Sequence, residues 1–148
     1  FQAGEAYGVI PGSARLGGTV RTFRTEVQDA TEAAMKRIAD GICAAHGATA
    51  RFTYNRRYPA TLNSEREAAI AGRVAAALVG EANVDRNPTP TMGAEDFSFM
   101  LDKRPGSYIW AGSGEATPNL HNPNYDFNDD LLPIGASYWA QLAETVLK

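Results

Sequence analysis

Apolar residues recur at intervals of three and four from Val27 through Ala30, Ala34, Ile38 and Ile42 to Ala45, and the run stops before Gly47. That spacing lays one apolar stripe along a 3.6-residue repeat and predicts an amphipathic helix, with Thr25 and Gln28 in the positions of a capping box. Ile70, Ala71, Val74, Ala77 and Leu78 repeat the pattern between Ser64 and Gly80, with Ser64 and Glu67 as a second capping box, and predict a helix over 64–79. A third stripe runs through Leu131, Ile134, Tyr138, Leu142 and Val146. It predicts a closing helix that starts from Asp129 or Asp130 as cap, accepts Pro133 in its first turn and reaches Lys148. A short helix is expected over 94–101, where Glu95 and Asp96 in the first turn suit the positive end of the helix dipole, and Pro105-Gly106 ends it.

Elsewhere the period drops to two. Ala50, Phe52, Tyr54 and Tyr58 alternate with Thr49, Arg51, Thr53, Asn55 and Arg57, the pattern of a strand with one wet face. Two apolar runs, 7–10 and 16–23, flank Pro11-Gly12-Ser13 and read as strand, turn, strand. Residues 107–111, bounded by Gly106 and Gly112, read as a short buried strand, and the Gly-, Pro- and Asn-rich stretch 112–128 as a long loop of the kind that carries function when ordered. The expectation is a mixed α/β chain divided near Arg57, one unit over 1–57 and another over 58–148.

Charge and composition narrow the function. Fourteen basic and seventeen acidic residues give a net charge of -3 without a basic stripe, which argues against a nucleic-acid partner. No apolar run approaches the roughly 20 residues of a membrane span. One cysteine, Cys43, cannot form an internal disulfide, so a cytoplasmic location is the default. The chain opens on Phe1 within a strand-like stretch, as expected of a processed chain or a piece of a longer one.

Three residue groups could carry chemistry. His46, beside Gly47 at a predicted helix end, has a plain role against the terminal carbonyls, and Cys43 one turn earlier reads as a small buried thiol. Glu95 and Asp96 could act as an acid and base pair, but carboxylates in a first helical turn are stabilising without any chemistry. His121 stands in the polar loop, where a lone histidine is commonly a surface residue. Catalytic zinc needs three protein ligands and an open position, and no C-x-x-C, H-x-x-x-H or G-x-S-x-G pattern occurs.

Three stretches together change this balance: Val9-Ile10-Pro11 with Gly18-Thr19-Val20-Arg21-Thr22-Phe23; Met92-Gly93-Ala94-Glu95-Asp96-Phe97-Ser98-Phe99; and Leu120-His121-Asn122-Pro123 with Tyr125-Asp126-Phe127-Asn128-Asp129. In order and spacing they resemble the metal-dependent aminoacylase, hippurate hydrolase and carboxypeptidase superfamily, in its N-acyl-amino-acid amidohydrolase branch, over nearly the whole chain. The resemblance implies part of a ferredoxin-like lid domain followed by the C-terminal part of a zinc-exopeptidase-like α/β catalytic domain. It implies that His121 is a ligand of a pair of divalent metals, zinc or manganese, that Arg21 anchors the free carboxylate of a small N-acyl amino acid, that Gly93 faces the substrate, and that Glu95 is a candidate catalytic carboxylate. The water-activating glutamate and the remaining ligands would lie upstream of Phe1, so this chain alone would be inactive. One position departs from the pattern: the family places asparagine before Val-Ile-Pro, and Gly8 stands there. A homodimer through the lid strands and first helix would be compatible, and a noncatalytic dimerisation or binding module of the same descent is the alternative reading.

Overall fold

The computed structural model describes residues 1–114 and 118–148, which fall into two compact units, Phe1–Asn55 and Arg56–Lys148. In the first unit the long stripe forms helix α1, Thr25–Ala45. Its start is set differently from the expected capping box: Arg24 holds the N-cap position in an extended conformation with no side-chain cap, and its carbonyl accepts the Gln28 N–H at 3.1 Å. At the other end the chain leaves through His46 and Gly47, and Gly47 takes φ +69°, a left-handed conformation that a side chain would disfavour. No residue of α1 is buried; Val27, Met35, Ile38 and Ile42 all remain exposed.

The second unit holds α2 (Glu65–Val79), a 3-10 turn (Glu81–Asn83), α3 (Phe97–Leu101) and α4 (Leu131–Val146). Its core lies between α2 and α4: Ala71 and Val74 from one and Tyr138 from the other are buried, flanked by Ile70, Ala75, Leu78 and Leu142. Most of these side chains lie on the stripes that the apolar spacing defines, so burial follows the 3.6-residue repeat. Beside the stripe α2 leaves room for a neighbour at Gly72, where a Cβ would come within 2.6 Å of the Arg86 guanidinium. That guanidinium is held by Glu81 through two bonds of 2.7 and 2.8 Å.

The α/β expectation, with a ferredoxin-like lid and an α/β catalytic portion, is overturned. Regular structure among the described residues is helical, and the one β pairing there is an isolated antiparallel bridge in which Gln2 and Arg15 exchange N–H···O bonds of 2.8 and 2.7 Å. The reason is that alternation specifies which face of a strand is dry but does not supply the neighbour that must take up its backbone groups. Residues 50, 52 and 54 are half-buried and 49, 51, 53 and 55 exposed, so the period-two pattern is present without a ladder. Along 7–10 and 16–19 the side chains are exposed, and only the bridge closes across the turn.

The 107–111 segment shows where strand-like bonding went instead. The Asn63 side-chain amide donates to the Tyr108 carbonyl at 2.9 Å and accepts the Tyr108 N–H at 2.8 Å, reproducing with one carboxamide the paired bonds of a strand neighbour. Ser64 does likewise for Gly106: its backbone N–H reaches the Gly106 carbonyl at 2.9 Å and its hydroxyl accepts the Gly106 N–H at 3.2 Å. That hydroxyl is therefore engaged away from α2, and the expected Ser64–Glu67 capping box does not form.

Candidate functional site

Residues 93–98 form a turn running into α3. Ser98 is fully buried, and both its N–H (3.2 Å) and its hydroxyl (2.5 Å) bond to the Glu95 carbonyl, which starts the helix later than the sequence predicts. Glu95 is half-buried. Its carboxylate accepts a hydrogen bond from the Tyr108 hydroxyl, whose oxygen in turn receives one from the Trp110 indole N–H. Burial first, then the charge of Glu95, hold the Tyr108 hydroxyl above its ordinary range; the Glu95 bond acts in the same direction and the Trp110 bond against it. The Phe97 ring packs on Tyr108 with centroids 5.9 Å apart, so ring, carboxylate and indole converge on one phenol.

Gly93 is exposed, and an added Cβ would meet only the Thr91 hydroxyl at 3.7 Å, an ordinary contact. This conformation does not itself require glycine there. Arg21 is exposed, outside any regular element, in the first unit. His46 follows the last residue of α1, its backbone N–H bonded to the Cys43 carbonyl at 3.1 Å.

His121 is exposed, and with φ +64° it is the single non-glycine residue in the left-handed region among the described residues. A side chain there costs about 1–2 kcal/mol, so the surrounding chain must hold the conformation. The turn that follows is built by asparagine: the Asn122 side chain accepts the Asn124 N–H and its carbonyl the Tyr125 N–H, both at 2.9 Å. At the far end Asn128 accepts the Asp130 N–H with its side chain at 3.0 Å and the Leu131 N–H with its carbonyl at 3.1 Å, while Asp130 holds the N-cap position of α4 without a side-chain cap bond. The Asn128 amide also donates to the Ser113 carbonyl at 2.9 Å.

An imidazole on an exposed turn suits a metal ligand in donor chemistry, but a centre needs several donors together. Among the described residues no three His, Cys, Asp or Glu side chains gather in such a cluster. His121 fits as one donor, not as a site. The sequence pattern does not single out Asn63 and Tyr108, whose side chains bond around the Glu95 turn, and it includes Asn128 only as one member of the stretch 125–129. Amide and phenol groups carry no spacing signal, and partners such as Tyr108 for Asn63, Ser113 for Asn128 and Glu95 for Tyr108 lie 45, 15 and 13 residues away.

No helix among the described residues is long and apolar enough to cross a membrane. Residues 4–145 match the pattern of peptidase family M20/M25/M40. The chain is 36% identical to the N-acetylcysteine deacetylase of Bacillus subtilis (strain 168) over 99% of its own length and 38% of that protein's. It is also 36% identical to the hippurate hydrolase of Campylobacter jejuni, over 100% and 38% respectively. Among solved structures, a Bacillus subtilis protein described as a dinuclear metal binding peptidase from the M20 family superposes with a TM-score of 0.77 at 36% identity, over 99% of this chain and 40% of that one. This chain thus spans about two fifths of the length of the relatives it matches, and it belongs to peptidase family M20/M25/M40.

Proposed function

We propose that this chain is the C-terminal portion of a metal-dependent hydrolase that cleaves the amide bond of N-acyl amino acids of the hippurate type. The observation that carries the reading is the pair of relatives named for hippurate and N-acetylcysteine, each matched along essentially the entire chain. Both compounds join an acyl group to an amino-acid nitrogen beside a free carboxylate. The dinuclear metal binding of the solved relative supports a pair of metal ions in the complete enzyme; our reading takes them as divalent, zinc or manganese. Such ions, when bound, lower the pKa of coordinated water to about 7 and polarise the scissile carbonyl.

The residues of this chain take the following parts. His121 contributes one imidazole ligand, and its strained backbone conformation supports a position held for function. Arg21 presents its guanidinium to the substrate carboxylate, a planar fork that can make two parallel bonds worth about 1.5–3 kcal/mol. Gly93 offers backbone groups to the substrate. Glu95, oriented by Tyr108, is the carboxylate of this chain that handles protons, alongside a principal glutamate outside it. The exposed apolar face of α1 serves a homodimer.

Two measurements test the assignment. In the complete enzyme, His121→Ala should lose metal and turnover together; retention of both at wild-type levels removes His121 from the centre. The 148-residue chain by itself should leave hippurate intact with zinc or manganese added. Metal-dependent hydrolysis by it would refute the partial-site reading.

A further inference from the structure

We propose that Asn128 is a positioning residue for His121, acting through its side-chain bond to the Ser113 carbonyl; the inference rests on the reading of His121 as a metal ligand. A helix start such as that of α4 requires an acceptor for its first free N–H groups, and the Asn128 side-chain oxygen supplies one to Asp130 at 3.0 Å. An aspartate would serve equally well, and Asp129 and Asp130 follow directly. The NH2 half of the carboxamide is surplus to that task, and it is directed at the Ser113 carbonyl, 2.9 Å away and fifteen residues earlier.

One half-buried side chain thus fastens the downstream arm of the His121 loop to two places, the head of α4 and the chain at Ser113. From that anchor back to His121 the chain is short and locally bonded, through the Asn122 side chain to Asn124 and the Asn122 carbonyl to Tyr125. His121 at φ +64° gains by relaxing towards negative φ, and only a loop fixed at its base resists this. Relaxation would swing the imidazole away from any fixed ion. The Asn128–Ser113 bond therefore sets the direction in which His121 presents its nitrogen.

The test uses the complete metal-loaded hydrolase. Asn128→Asp and Asn128→Ser both keep an oxygen for the Asp130 N–H and both lose the bond to Ser113, one by removing the donor and the other by shortening the side chain. Zinc affinity is read by competition with a chromogenic chelator, and melting midpoints are taken with and without zinc. We expect affinity to fall about 10-fold in both variants, as for other groups that orient metal ligands, with a smaller zinc-induced rise in midpoint. A purely structural role would lower the zinc-free and zinc-loaded midpoints equally and leave affinity unchanged, and that result overturns the proposal. In the unsubstituted protein, zinc should slow hydrogen exchange of the Asn128 carboxamide and the backbone amides of His121, Asn122 and Asn124; unchanged exchange also overturns it. His121→Ala with undiminished zinc affinity would instead remove the ligand reading itself, a separate failure.

Discussion

Asn63 is a polar residue near the surface that nonetheless organises the chain, because one carboxamide satisfies both backbone groups of Tyr108. A net hydrogen bond contributes about 0.5–1.5 kcal/mol, so Asn63→Ala should destabilise the second unit by roughly 1–2 kcal/mol in urea unfolding. Asn63→Asp, which keeps the acceptor for the Tyr108 N–H and loses the donor, should recover about half of that; a full recovery would mean the donor half contributes nothing. Such single-residue devices are the least legible feature of the sequence. Ser64 reads as a helix cap from its spacing to Glu67, yet its hydroxyl accepts the N–H of Gly106, 42 residues away, and makes no cap bond. His121 is legible through its neighbours Leu120, Asn122 and Pro123, whereas its positive φ is not, because histidine carries no left-handed preference as strong as glycine's.

Helices are the legible elements, and the reason lies in how their stripe is used. The α2 and α4 stripes meet each other, so periodicity and burial agree, and Val74→Ala should cost about 2 kcal/mol through lost burial and a residual void. Ile42 on α1 carries the same periodic signal but is 59% exposed. Ile42→Ala should therefore change stability by no more than about 0.5 kcal/mol where the chain is monomeric, and by more at concentrations where α1 is covered in a dimer. A concentration-independent effect would argue against self-association through α1. Tyr138 adds a pH dependence. Burial holds its hydroxyl above the ordinary value of 10.0, so the folded chain keeps that proton longer than the unfolded chain does. Its contribution is fully present below about pH 10 and is lost as pH rises through the folded value. Tyr138→Phe should flatten the alkaline fall of the urea midpoint, leaving the part due to Tyr108, which shifts in the same direction. Strands are legible only as alternation of exposure over 49–55, because pairing depends on a second segment that no local pattern names.

On the scale of the whole molecule, exposed surface is the governing quantity. Folded monomers expose area in a fixed relation to mass, and two separate globules with the sizes of the two units would together expose about 8,800 Å². The chain exposes 12391 Å², while the buried hydrophobic residues among those described are Ala71, Val74 and Tyr138. The excess is partly apolar: Ile10, Leu16, Trp110, Leu120, Leu132 and Trp139 all face solvent. Apolar area in that quantity is what water disfavours most, at roughly 25 cal/mol for each Å², and monomeric proteins rarely leave it as contiguous patches. The reading of this chain as part of a larger hydrolase accounts for the imbalance, since the same side chains would pack on protein that the chain does not contain. The isolated 148 residues should therefore bind a hydrophobic dye strongly and aggregate beyond a dimer as concentration rises, and the complete hydrolase should do neither. A dye-silent monomer with a sharp cooperative unfolding transition would show that this surface is stable as it stands, and would shift the balance from an enzyme portion to an independent binding module.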